Sequence, residues 1–348
     1  MMRKSRAVGS NPPLDSTLFR DFARTDSNTV WLASGRDALA LAAAAIDARI
    51  WLVPDFICGA VPATLQKMGA TLLPYTVGRL DSVTWDLLDR STCAVLLLWD
   101  LGEAPSARDR LAARNAAAIL EDRCLWVGQP SEVPSGTWAF GSSRKWIGGA
   151  GAGWLVPADA LPEIETPTPR TYAQIVLASS ALRSVREQAL GDELEAASIM
   201  LNEAADRLLG VPTTPRRASE MAVTLADRAD PHAERAARRS TAIELCGRLG
   251  VREMSDGGSG LRVRSTCRDE IASRLRDRRI YATVHWRDGD WCGRATTFAS
   301  QTLTIPIPAF DNSSDVAAFA TAVEEALTLT DWIASRANGD PVDPADEW

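Results

Sequence analysis

Lysine is rare in this chain, and one of its three lysines sits where covalent chemistry is plausible. Of 38 basic residues only Lys4, Lys67 and Lys145 are lysines; the others are arginines. A guanidinium carries charge but stays protonated and cannot form an imine, so the place of each amine matters. Lys145 lies in Ala-Phe-Gly-Ser-Ser-Arg-Lys-Trp-Ile-Gly-Gly-Ala-Gly-Ala-Gly (139–153), after an apolar strand and before a glycine cluster. An amine in partly apolar surroundings beside a cation, here Arg144, has its neutral form favoured, which suits a nucleophile that forms Schiff bases. The same setting also suits a lysine whose stem covers apolar surface while its head reaches water.

Two further positions could serve such an amine. Asp122 follows the apolar run 118–121, at the carboxyl end of a strand, where ligands gather in open α/β sheets. A carboxylate there could hold a proton on a heterocycle, or simply close a turn or cap a helix. Ser34-Gly35-Arg36 opens a helix whose first backbone N–H groups are unpaired and whose dipole is positive, which makes a phosphate cradle. A plain serine N-cap with Asp37 in the first turn fits the same residues.

Other chemistries fail on spacing. Ser142 and Lys145 spell S-x-x-K, but the K-T-G and S-D-N partners of a penicillin-recognising enzyme are missing. Glycines 149, 151 and 153 do not form G-x-G-x-x-G, and there is no G-K-[ST], so dinucleotide and P-loop readings fall. The two histidines, His232 and His285, have no ligand cluster around them, so no metal site is expected. His285, in Val-His-Trp-Arg with Trp286, could meet a substrate or be a hydrogen-bonded histidine at a strand end.

The elements that must position these groups alternate. Helical patterns over 36–46, 60–68 and 106–117 interleave with apolar strands over 50–53, 71–77, 94–99, 118–121, 137–141 and 153–156. Short apolar strands alternating with helices predict a mostly parallel sheet covered on both faces. A long helical pattern follows over 172–209, broken near Gly191. A linker with Pro212, Pro215, Arg216 and Arg217 then leads to helices at 232–249, 268–278 and 314–336 and strands at 261–265, 280–285 and 303–305. The expected organisation is α/β: a large domain over 14–210 with a mostly parallel sheet, and a smaller α+β domain over 218–337. Residues 1–13 and 338–348 are expected to be flexible.

Composition bounds the partners. The 348 residues suit about two domains. A net charge of −7 disfavours nucleic acid and anionic lipid as partners. No apolar run approaches the ~18 residues of a membrane span, and the N-terminus does not read as a signal peptide. Six scattered cysteines without C-x-x-C suit free thiols and a cytoplasmic location.

Taken in order, these pieces resemble the DegT-like sugar-aminotransferase family of fold-type-I pyridoxal-phosphate enzymes. Ser34-Gly35-Arg36-Asp37-Ala38-Leu39 is similar to its S-G-x-x-A-L phosphate turn. Val53-Pro54-Asp55-Phe56-Ile57-Cys58 and Gly69-Ala70-Thr71 resemble its proline-led loop and following strand entry. Ile119-Leu120-Glu121-Asp122 resembles the strand ending in E-D, Phe140-Gly141-Ser142-Ser143-Arg144-Lys145-Trp146 the F-x-S-x-R-K-W around the cofactor lysine, and Leu303-Thr304-Ile305-Pro306-Ile307 the closing L-x-L-P segment.

The resemblance implies a large domain with a seven-stranded type of sheet and pyridoxal 5'-phosphate as cofactor. Lys145 would hold it as an internal aldimine and shuttle the substrate proton, and Asp122 would pair with the pyridine nitrogen. Gly35, Arg36 and Ser142 would bind the phosphate beside Ser34, and Cys58 would stand where many relatives stack an aromatic on the ring. It implies a homodimer and transfer of an amino group from an amino acid to a keto-sugar, cyclitol or specialised-metabolite ketone. Leu125 replaces the Gln or His that relatives carry three residues after the aspartate, which leaves elimination or bond formation on the same cofactor as a second reading. A lapsed relative serving as a binding or partner subunit is a third.

Overall fold

The computed structural model describes residues 28–157, 161, 164–189, 192–212, 214–251, 259–283, 291–294, 296–310, 312–328 and 332–334. His285, Trp286, residues 1–13 and residues 338–348 lie outside them.

Seven strands form the main sheet: β1 (Val30–Leu32), β2 (Ile50–Pro54), β3 (Thr71–Tyr75), β4 (Cys93–Leu98), β5 (Ala118–Asp122), β6 (Trp138–Ser142) and β7 (Gly153–Val156). Their spatial order is β1-β7-β6-β5-β4-β2-β3. The five strands from β3 to β6 are parallel, while β7 runs antiparallel to both β6 and β1. The helices α1 (Gly35–Ile46), α2 (Ala60–Lys67) and α3 (Ala107–Ala113) connect the first strands.

Alternation along the strands sorts side chains between the two faces. Ala94, Leu96 and Leu98 of β4, with Leu120, Phe140 and Leu155, pack against Leu39, Leu41 and Ala42 of α1. Val95 and Leu97 point the other way, to Ala112 and Ala113 at the end of α3 and to Leu80 and Trp85. Asp122 shares the face of Leu120, so it projects on the α1 side of the sheet. Glu121 projects on the opposite side, where its Oε2 accepts from Trp99 Nε1 at 2.9 Å and from Arg123 Nη2 at 2.6 Å.

Two long helices follow, α4 (Arg170–Ala189) and α5 (Asp192–Leu209), then α6 (Glu220–Arg228) and α7 (Pro231–Leu249). The remaining elements are β8 (Gly260–Arg264), α8 (Arg268–Asp277), α9 (Thr296–Gln301), β9 (Thr302–Pro306), α10 (Ser313–Leu327) and β10 (Ile333–Ala334). They form an antiparallel sheet of order β10-β8-β9 whose Leu261, Val263, Leu303 and Ile305 pack on Leu245, Ile271, Phe319 and Val323. This second core docks over the carboxyl ends of β2 and β4. Arg262 forms a buried bidentate pair with Asp100, Phe56 meets Phe298 edge-on at 4.8 Å, and Trp291 Nε1 donates to Pro54 O at 2.7 Å.

Several sequence expectations change here. The helix expected to reach residue 336 ends at Leu327, because the chain returns to pair Ile333 with Arg264 on the edge of β8. The helix expected to 117 stops at Ala113: Asn115 folds its side-chain amide onto Ala112 O at 2.9 Å, and the chain enters β5. The expected strand 280–285 is reduced, over its described part, to bridges; Thr283 exchanges two 2.8 Å backbone bonds with Thr304. Among the elements not anticipated are β1, whose three residues are too short to show a period, α6, whose apolar face packs under 127–150, and the short α9 and β10.

Candidate functional site

The candidate site lies where the N-terminus of α1 meets the carboxyl ends of β5 and β6. Ser34 is the N-cap of α1: its Oγ accepts from Asp37 N at 3.2 Å and donates to Asp37 Oδ2 at 2.5 Å. Asp37 is fully buried, and Arg216 holds it through Nε at 2.8 Å and Nη2 at 3.2 Å. The Ser34 hydroxyl is therefore engaged in capping. Ala38 N donates to Ser34 O, while the N–H groups of Gly35 and Arg36 make no hydrogen bond among the described residues. Two free donors at the positive end of a twelve-residue helix are what an anion needs.

Glycine lets this helix start sit so close to the sheet. A Cβ on Gly35 would lie 3.0 Å from Cys124 Sγ and 3.6 Å from Ser142 Cβ. A Cβ on Gly153 of β7 would lie 2.2 Å from the carbonyl of Ser34 and 2.6 Å from Gly35 N. Backbone there cannot yield as a side chain could. Gly153→Ala is expected to cost about 1–3 kcal/mol and to push α1 off the sheet. Chemical denaturation measures the first effect, and a weakened affinity for inorganic phosphate the second.

Asp122 ends β5 and is 4% exposed. Its Oδ1 accepts from Cys124 N at 2.9 Å. Burial pushes its carboxyl above the ordinary range, against the pull of the Cys124 N–H, the Cys124 thiol and the Lys145 charge. Lys145 comes from the short turn Ser143–Lys145 that follows β6, and half-buried Ser142 ends that strand. Burial and the neighbouring Asp122 push the Cys124 thiol well up, with Cys58 a smaller contributor. Thus the amine, the buried acid, the helix start and both thiols lie near one another at the carboxyl ends of β5 and β6. Ser142 stands beside them, opposite Gly153 in the β6–β7 ladder.

One residue of the pocket carried no sequence signal. Asp206, on α5, accepts from Arg36 Nη2 at 3.0 Å and from Arg144 Nη1 and Nη2 at 2.9 and 3.3 Å. Burial opposes its charge, but Arg144 and Arg36, with Lys145 behind them, hold its carboxyl below the ordinary range. Arg144 also bonds the phenol of Tyr172, a fully buried residue of α4. No group of three or more His, Cys, Asp or Glu side chains that could hold a metal occurs among the described residues.

A seven-stranded, mostly parallel sheet with an antiparallel seventh strand, flanked by helices, is an α/β fold of fold type I, an architecture seen in solved sugar aminotransferases. The solved structures with this fold include a DegT DnrJ EryC1 StrS aminotransferase from Brucella abortus, at 16% identity over 85% of each chain and a TM-score of 0.53. PseC of Helicobacter pylori, an aminotransferase involved in the biosynthesis of pseudoaminic acid, covers 93% of this chain and 99% of its own at 12% identity and a TM-score of 0.55. DesV of S. venezuelae shares 20% identity over 85% of this chain and 84% of its own, with a TM-score of 0.55. No protein-family model and no curated protein matches the sequence. At these identities the likeness is one of fold. No helix among the described residues is long and apolar enough to cross a membrane.

Proposed function

We propose that this chain is a pyridoxal-phosphate-dependent aminotransferase that moves an amino group from an amino acid to a keto substrate, with a keto-sugar, cyclitol or small specialised-metabolite ketone as acceptor. The observation that carries the reading is a deeply buried Asp122 at the end of β5, near enough to Lys145 to feel its charge and close to the open N-terminus of α1. The donor set fits the cofactor: two unpaired N–H groups for a phosphate, a buried acid for a protonated ring nitrogen, and an amine for an aldehyde. A structure of the same fold, Spr1654 of Streptococcus pneumoniae, assigned as a sugar aminotransferase, is solved in PLP and PMP forms at 14% identity, which supports the choice of cofactor.

The bound cofactor supplies an electron sink for a carbanion next to nitrogen. The chain supplies the rest. Gly35 and Arg36 N–H groups, with the Ser142 hydroxyl, fix the phosphate. Asp122, kept in place by Cys124 N–H, holds a proton on the ring nitrogen, and its burial strengthens that pairing by excluding water. Lys145 would hold the cofactor through its amine, the aldehyde oxygen leaving as water, and the same nitrogen would serve as the base for the proton on the substrate α-carbon. Cys58, close to Cys124, would stand beside the ring and give weaker stacking than an aromatic. A homodimer with sites at its interface accompanies this reading.

The test is an absorbance spectrum of protein incubated with pyridoxal phosphate, before and after borohydride, followed by peptide mapping. The reduced adduct is expected on Lys145. Lys67 is already accounted for, its Nζ donating to Val211 O at 2.8 Å. A colourless protein, or an adduct on Lys4 or Lys67, overturns the reading. Scoring the two half-reactions separately then tells transamination from elimination: ammonia and keto acid released without an acceptor point to the latter, which Leu125 in place of a polar side chain favours.

A further inference from the structure

We infer that Arg216 is a positioning residue for the phosphate: it neutralises a carboxylate, Asp37, that the first turn of α1 places beside the N–H groups offered to that anion. Asp37 directly follows Arg36 in this turn, and its side chain is fully buried. A carboxylate there favours the helix but repels a second anion at the same end. Arg216 comes from the linker beyond α5, 179 residues away in sequence. Its Nε donates to Asp37 Oδ1 at 2.8 Å and its backbone N–H to the same oxygen at 3.1 Å. Its Nη2 donates to Asp37 Oδ2 at 3.2 Å and to Leu209 O at 3.0 Å. Its carbonyl accepts from Ala33 N at 2.8 Å, which fixes the linker to the chain just ahead of the helix.

The charge balance gives Arg216 its consequence. Among the described residues it is the one side chain that forms an ion pair with Asp37. Arg36, next to Asp37 in the same turn, sends its guanidinium to Asp206 at 3.0 Å, and Arg144 meets the same carboxylate at 2.9 Å. The Ser34 hydroxyl donates to Asp37 Oδ2 at 2.5 Å, which satisfies that oxygen without neutralising it. With the guanidinium in place, the helix start is positive where Gly35 and Arg36 leave their N–H groups unpaired among the described residues. Without it, a phosphate dianion meets a full negative charge buried within one helical turn, where water screens little. A purely structural pair would pin the linker and leave phosphate affinity alone.

The inference rests on the proposed function, which brings a phosphate to this helix start. Pyridoxal serves as control, since it has the same ring and aldehyde without the phosphate. Calorimetric titration with pyridoxal phosphate, pyridoxal and inorganic phosphate compares the wild type with Arg216→Gln, Asp37→Asn and the double variant. Arg216→Gln is expected to weaken pyridoxal phosphate and inorganic phosphate by about tenfold or more and to leave pyridoxal unchanged. Asp37→Asn keeps an oxygen for the cap and leaves the guanidinium charge uncompensated, so both phosphate ligands are expected to bind more tightly. The double variant is expected to return near the wild type, because the two charges leave together. General loosening of the helix start instead weakens phosphate binding in both single variants. That result overturns the inference, as does an unchanged phosphate affinity in Arg216→Gln or an equal loss for pyridoxal. Thermal denaturation identifies a variant that does not fold; if Arg216→Gln is one, Asp37→Asn decides, and a phosphate affinity that stays or falls overturns the inference. A cofactor adduct on Lys145 with affinities indifferent to Arg216 keeps the proposed function and sinks this inference. Inorganic phosphate that responds as expected, with no adduct on Lys145, does the reverse.

Discussion

Lys145→Ala is expected to abolish the yellow chromophore with pyridoxal phosphate and to lower turnover by at least about a thousandfold, with the fold intact. The size follows from what an amine does at this position. It joins the aldehyde and also moves the substrate proton, so one substitution removes two roles that act as a unit. Lys145→Arg sharpens the result. It keeps the positive charge beside Asp206 and Asp122 but cannot form an imine, so it is expected to retain stability and to be as inactive as the alanine variant. Lys145 makes no ion pair among the described residues, so removing it is expected to change the denaturation midpoint little. Turnover of amino donor by Lys145→Ala at the wild-type rate would contradict both the aminotransferase and the elimination readings, and would bring forward a binding or partner role for the fold.

How much of this could be read from the sequence depends on how local each feature is. The strands β2, β4 and β5 are short apolar runs because both of their faces are covered, so their type is legible without any contact being known. The run 280–285 alternates like a strand, yet over its described part it meets β9 only at bridges; the pairing that makes a strand depends on a neighbour the local sequence does not encode. In the site, Ser34-Gly35-Arg36, Asp122 and Lys145 carry their own signals, a cap, a strand end and a lysine before glycines. Asp206 carries none. It sits on α5 among Glu203 and Arg207, which read as a solvated helix face, and its meaning comes only from the folding of α5 against residues far away in sequence. Ser34 shows the reverse case. Its turn suited either a phosphate cradle or a plain N-cap, and the buried Asp37–Arg216 pair behind it commits the hydroxyl to capping while the backbone N–H groups of Gly35 and Arg36 stay unpaired among the described residues.

Asp122→Asn is expected to separate function from stability. In function it is expected to lose about a hundredfold or more in turnover, because an amide oxygen in a water-excluded site pairs with a protonated ring nitrogen far less well than a carboxylate does. In the cofactor-free protein the direction reverses. Burial raises the Asp122 carboxyl above its unfolded value, so between those two values the folded chain binds more protons than the unfolded one. Stability conferred by the neutral carboxyl is therefore present at low pH and is lost as pH rises through the raised value, leaving a buried charge that only Cys124 and Lys145 offset at neutral pH. The asparagine variant has no proton to lose. Its thermal midpoint without cofactor is expected to match or exceed that of the wild type at neutral pH, with the gap closing as the solution is acidified. Saturating pyridoxal phosphate is expected to reverse the order, since a protonated ring nitrogen compensates the carboxylate and stabilises the wild type more. A variant less stable than wild type without cofactor, by an amount that does not change with pH, would mean that the Cys124–Asp122 bond and not the buried charge dominates at the end of β5, and that the acid is held there for packing rather than for the ring.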